Sequence, residues 1–237
     1  MSSFERLRTN TLPILTKTAH VTAPFITIFL LIHLAAPASA TVGGSSLSTQ
    51  TMLLGREYYQ SRLTEPLLIL GPLAVHSLSG TFKRLLSPPG KPPRPLKRLL
   101  SLTGYASMLF LLPIHFLVHR VAPTNELPPI DALGPSELDY EFVKAGLHTW
   151  PIRSWLLYGG LILSVTAHMA DGVGIILSSW SVPKLPSRLT RTVTILATVA
   201  LPTLLGLYSL STEPSIVFSS MQSRFKAVFM MSTIYNL

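Results

Sequence analysis

Long apolar runs, broken by short polar, basic or proline-rich segments, set the pattern of this chain. A helix needs roughly 20 apolar residues to cross a bilayer. Five runs meet that length, at about 12–36, 66–86, 99–118, 152–180 and 193–210. Gly71-Pro72 marks a kink in the second. The pattern predicts an all-α integral membrane protein: a five-helix transmembrane bundle over residues 12–211, with a short tail at 1–11 before it. The stretch at 212–237 ends in SRFKAVFMMSTIYNL, too short and mixed for a sixth span. It suits an interfacial amphipathic helix.

Composition supports this reading. The 237 residues are 48% hydrophobic and 12% charged, about half the charge of an average soluble domain. The net charge of +9 would suggest nucleic acid on a hydrophilic chain. On an apolar chain it marks orientation, because Lys and Arg concentrate in cytoplasmic loops. With five spans, the N-terminal segment and the loops at 87–98 and 181–191 share one side with their flanking residues. That side holds 12 of the 19 cations and one acid, Glu5. The other side holds 7 cations and eight acids, and Asp171 falls inside the fourth span. The N-terminus and both loops are therefore expected in the cytosol, with no nucleic-acid partner. Ala38-Ser39-Ala40 after an apolar run also fits a signal peptide. That run is long for such a peptide, and its loss would remove part of the repeat described next.

Spans one and two resemble spans three and four. Phe29-Leu30-Leu31-Ile32-His33 matches Phe110-Leu111-Leu112-Pro113-Ile114-His115 with one residue inserted. His33-Leu34-Ala35-Ala36-Pro37 also matches His119-Arg120-Val121-Ala122-Pro123, so the register is open between His115 and His119. Tyr-bearing stretches follow, at 57–59 and 139–141. Each half then carries a His with Gly four residues on: His76 with Gly80, and His168 with Gly172.

The chain has no Cys, so metal chemistry runs through imidazole. One His falls in each of the first four spans, and ionisable groups there are usually functional or paired. Two readings stand. The four imidazoles act as hydrogen-bonding glue between helices, or they hold haem b, one or two molecules, by bis-histidine ligation. A glycine one turn from each inner His would let a flat macrocycle approach the helix. Pairing His33 with His115 and His76 with His168 gives two sites at different depths. Arg56, Arg62, Arg120 and Arg153 lie on the side of the first pair, available to haem propionates or to lipid headgroups. Asp171 is placed to hydrogen-bond an imidazole of its own helix. His20 has no repeat partner, and His148 precedes span four. No phosphate-binding Gly loop and no HExxH helix is present, so no enzyme active site is expected.

Five spans with a ligand His in each of the first four resemble the di-haem cytochrome b anchor subunits of succinate dehydrogenase and fumarate reductase. The segments FLLIHLAAP, HSLSG, LTGYASMLFLLPIHFLVHRVAP and HMADG resemble, more closely, a fungal mitochondrial outer-membrane family with that transmembrane fold. The resemblance implies an adaptor for a chorein-type, bridge-like lipid-transfer protein, acting in lipid homeostasis and organelle contact. Such adaptors are recognised through a Pro-x-Pro motif, which that family carries in its N-terminal tail. Here the nearest match is Pro93-Arg94-Pro95, in the loop SPPGKPPRPLKRLL. That loop also reads as a stiff basic linker on anionic headgroups. The alternative function is an electron-transfer, quinone-linked anchor.

Overall fold

The computed structural model describes residues 2–88, 90–91, 93–134 and 137–237. Those residues form helices and connecting turns, with no strand among them. The first helical stretch, α1, runs Ser3–Tyr59. Ser2 caps it by accepting from the Glu5 N–H at 3.2 Å, and Glu5 accepts from the Ser2 N–H at 2.7 Å. Helix α1 is broken at Gly43 and Gly44 into an outgoing and a returning arm. Gly44 has φ +59°, which a side chain rarely tolerates, and a Cβ there would collide with the Glu213 carboxylate. The returning arm lies back on the outgoing one, where a Cβ on Gly55 would meet Ile32 at 3.2 Å.

Glu213 holds this turn. Its two oxygens accept from the Ser45 N–H at 3.0 and 3.2 Å, at the start of the returning arm. A carboxylate there satisfies an orphan amide and complements the helix dipole. The fully buried Lys144 donates to Glu141 at 2.6 Å and lies 3.4 Å from Glu213.

Helix α2, Gly71–Leu85, follows a π turn at Glu65–Leu70 and runs back along α1. Next come α3 (Leu99–Thr124), α4 (Tyr140–Thr149), α5 (Pro151–Ser179), α6 (Arg188–Thr212), α7 (Ser219–Met230) and α8 (Thr233–Asn236). Among the described residues, four stretches are long and apolar enough to cross a membrane: Ser3–Tyr59, Leu99–Thr124, Pro151–Ser179 and Arg188–Thr212. The expected second span is helical but is not among them. Its second half carries Ser77, Ser79, Thr81, Lys83 and Arg84, which lower its mean hydropathy.

Prolines explain the irregular turns. The π turns Glu65–Leu70, Ser107–Leu111, Leu117–Val121 and Leu196–Ala200 each end two residues before a proline: Pro72, Pro113, Pro123 and Pro202. Proline lacks an N–H and its ring crowds a carbonyl of the preceding turn. A widened turn bonds those carbonyls to a later amide, and a π turn takes up one extra residue. The turn before Pro113 therefore absorbs the insertion between the two halves of the repeat.

The core has two parts. One joins Leu34, Ala36 and Ala40 of α1 to Tyr140, Leu147, Tyr158, Ile162, Leu207 and Leu210. Here α6 crosses α1 so closely that a Cβ on Gly206 would strike the Pro37 carbonyl. The other part shows that the C-terminal stretch is a packed cap. Phe225, Val228 and Phe229 of α7 are at most 1% exposed. Phe229 stacks on Phe142 at 4.6 Å, and Tyr235 of α8 meets Trp150 edge-on at 5.3 Å. The spacing i, i+3, i+4 of Phe225, Val228 and Phe229 encodes this apolar face.

Candidate functional site

The repeat is visible in side-chain contacts. Thr22 donates to the Thr18 carbonyl at 2.9 Å, and Thr103, 81 residues on, donates to Leu99 at 2.6 Å. His76 Nδ1 donates to the Ala19 carbonyl at 3.0 Å, and His168 Nδ1 donates to Leu100, again 81 residues on, at 3.0 Å. Past Pro113 the offset becomes 82, which aligns His33 with His115. The π turn keeps both ends of α3 in phase with α1.

The structure brings together both expected pairs. His76 and His168 have ring centres 6.2 Å apart and planes at 82°. His33 and His115 are 5.9 Å apart with planes at 84°. Two imidazoles sharing one iron place their ring centres about 6 Å apart, from metal–nitrogen bonds of about 2.0–2.1 Å plus about 1.1 Å inside each ring. Both separations fit. The inner pair also fits in tautomer. With Nδ1–H bound to a carbonyl, the free lone pair of His76 and of His168 is on Nε2, as in orienting contacts behind metal-bound imidazoles. The glycines leave room as well. A Cβ on Gly80 would meet nothing within 4 Å, and one on Gly172 would meet only Leu100, at 4.0 Å.

The outer pair is more crowded. His119 stacks on the far side chain, His115, at 4.5 Å and bonds Tyr158 through Nε2 at 3.0 Å. His115 is thus the residue facing His33, and His119 stands behind it. His115 Nδ1 is buried without a partner. The His115 side chain lines a small cavity, with room for about one water molecule, shared with His119, Tyr158 and Tyr235. Tyr59, carried by the returning arm, lies 3.4 Å from His33 Nδ1. Its counterpart beside His115 is Tyr158, with ring centres 6.3 Å apart. Tyr140, aligned with the Tyr58–Tyr59 stretch by sequence, is instead buried in the core.

Other candidates find different partners. Asp171 bonds the Arg188 guanidinium at 2.7 and 2.8 Å rather than an imidazole. Arg120 is held by both oxygens of Glu65 at 2.6 and 2.7 Å, so its fork is taken. Arg56 donates to Leu138 O at 3.0 Å and Arg153 to Tyr235 O at 3.3 Å. His20 bonds Ser179 at 2.9 Å, and His148 bonds Ser211 O at 3.2 Å. Arg94 and Pro95 are exposed and Pro93 is half-buried, in a non-helical segment whose Arg94 carbonyl accepts from Arg84 at 2.7 Å. Pro89 and Pro92 of that loop lie outside the described residues.

Among the described residues, the fold and site define an all-helical arrangement with four apolar helices long enough to cross a membrane and two facing histidine pairs at repeat-equivalent positions. No family model, curated protein or solved structure matches the chain.

Proposed function

We propose that the chain is a five-span membrane protein, with residues 65–85 as its second span, that binds haem b by bis-histidine ligation. The observation that carries this is the inner pair: two imidazoles 6.2 Å apart, each with Nδ1 fixed on a backbone carbonyl 3.0 Å away. His76 and His168 hold the iron, Ala19 and Leu100 orient the rings, and Gly80 and Gly172 admit the macrocycle. His33 and His115 form the second pair. Haem b, when bound, supplies a one-electron couple. The test is the haem content of detergent-purified protein. His76→Ala and His168→Ala are expected to lose the same haem; loss of different haems refutes the pairing.

The proposed setting is the mitochondrial outer membrane, with the N-terminus and the 87–98 and 181–191 loops in the cytosol. There the protein serves as adaptor for a bridge-like lipid-transfer protein in lipid homeostasis and organelle contact. Support comes from the sequence resemblance, from the basic bias of those loops, and from Pro93-Arg94-Pro95, a stiff Pro-rich segment suited to docking at low entropy cost. Two histidine pairs at two depths favour a second reading, transmembrane electron transfer. His33 and Ala19 are 14 residues apart on one helix, roughly 20 Å at 1.5 Å per residue. Haem reduction by added quinol would favour that reading over the adaptor.

A further inference from the structure

Backbone carbonyls orient the inner histidine pair, but tyrosines surround the outer one. Tyr59 Oη lies 3.4 Å from His33 Nδ1. It reaches that nitrogen from the end of the returning arm of α1, with Phe29 edge-on to its ring at 5.1 Å. On the facing imidazole, His115 Nδ1 is buried and has no hydrogen-bond partner among the described residues. A buried N–H there carries its full desolvation cost unless something accepts from it.

The small cavity beside His115 can supply that acceptor. It has room for about one water molecule, and its polar walls are His115, His119, Tyr158 and Tyr235. The hydrogens of these walls can be traced. Ser154 spends its one hydroxyl hydrogen on the Gly146 carbonyl at 2.7 Å. Tyr235 Oη, 3.3 Å from Ser154 Oγ, is therefore the donor in that contact and keeps its lone pairs. Tyr158 Oη bonds His119 Nε2 at 3.0 Å, and in either sense of that bond the phenol oxygen retains a lone pair. Two acceptors thus share the cavity with an imidazole whose Nδ1 is orphaned. A water that donates to both phenols and accepts from one N–H makes about three hydrogen bonds, the usual number for a buried water.

Resting on the haem reading above, we propose that this cavity binds one water, which accepts from His115 Nδ1–H and donates to the Tyr158 and Tyr235 oxygens, while Tyr59 accepts directly from His33 Nδ1–H. Tyr59 and Tyr158 are then positioning residues of the outer pair, and His119 holds Tyr158 in place. Both imidazoles present the Nε2 lone pair to an iron between them. That is the tautomer the inner pair takes from Ala19 and Leu100.

The test is a redox titration of the haem-loaded full-length protein in detergent, followed at the b-type α band. The outer haem is the component that His33→Ala removes. An acceptor behind a ligating imidazole raises its basicity and favours ferric iron. Tyr158→Phe is therefore expected to raise the midpoint potential of the outer component and leave the inner one unmoved, and Tyr59→Phe to do the same. Val118 is 2% exposed and lines the same cavity, so Val118→Ile fills it without touching a polar group. It is expected to shift the outer component as Tyr158→Phe does, and the double variant to shift it no further, because both remove one water. Val118→Ile carries the test if Tyr158→Phe does not fold. An unmoved outer component in these variants overturns the water-mediated contact, and shifts that add in the double variant overturn it as separate packing effects. A wild type with the inner component alone overturns the proposal and leaves ligation at His76 and His168 standing. A folded protein that binds no haem overturns the haem reading itself.

Discussion

Replacing Glu213 by Gln should loosen the first half of the site from a distance. Glu213 accepts from the Ser45 N–H at 3.0 and 3.2 Å and stands 3.4 Å from the ammonium of Lys144. Lys144 is 0% exposed, and its other carboxylate is Glu141 at 2.6 Å. A Gln of the same shape keeps an acceptor for Ser45 but removes the charge. The charge-assisted bonds and the helix-dipole term weaken together, at about 1.5–3 kcal/mol for bonds to a charged group, less what the amide retains and about 0.3–1 kcal/mol for the dipole. A net loss of about 2 kcal/mol is expected, read as a lower Tm in detergent by intrinsic fluorescence. The pH dependence supplies a second readout. Partial burial alone would raise the Glu213 carboxyl, but the bonds from Ser45 and Lys144 outweigh it and hold the group below its ordinary value. A lowered folded-state pKa contributes stability above the unfolded value, and that stability is lost as pH falls through the folded one. The wild type should therefore destabilise below about pH 4.5 by an amount that Glu213→Gln lacks. A variant within about 0.5 kcal/mol of wild type, with the same acid limb, would refute the reasoning, since that is the ordinary spread of surface substitutions.

Three further outcomes follow from the geometry. Gly172→Ala meets only Leu100 at 4.0 Å, so the haem-free protein should keep its Tm or gain about 0.5–1 kcal/mol from helix propensity; its haem content should fall, and unchanged content would show that the macrocycle does not approach there. Gly44→Ala must hold φ near +59° and push against Glu213, so a loss of at least about 1–2 kcal/mol is expected in thermal unfolding. Changing Pro93 and Pro95 together to Ala should lower recruitment of the lipid-transfer partner in cells, measured by co-localisation, while the haem spectrum stays unchanged; undiminished recruitment removes that loop from the docking site.

The histidine pairs were legible in the sequence because a repeat places equivalent residues on equivalent faces, and His33, His76, His115 and His168 all face their expected partners. The choice between His115 and His119 was not legible. It depends on a π turn that adds one residue of phase before Pro113, a property of backbone hydrogen bonding rather than of residue type. The returning arm of α1 was missed because its turn depends on Glu213, 168 residues from Ser45. No local periodicity reports such a contact. The C-terminal cap carries a readable signal in Phe225, Val228 and Phe229, but a helix this short shows an apolar face without naming what covers it. The partners of Asp171 and Arg120 were unreadable for the same reason as the turn, since Arg188 and Glu65 belong to other elements.

The most direct measurement is the dithionite-reduced minus oxidised absorbance spectrum of the full-length protein purified in detergent. Bis-histidine ligation at His76 and His168 requires a low-spin b-type α band and a shifted Soret band in protein that elutes as a folded species. A folded protein with neither band, after expression with ample haem, would contradict the account and return the four histidines to interhelical hydrogen bonding.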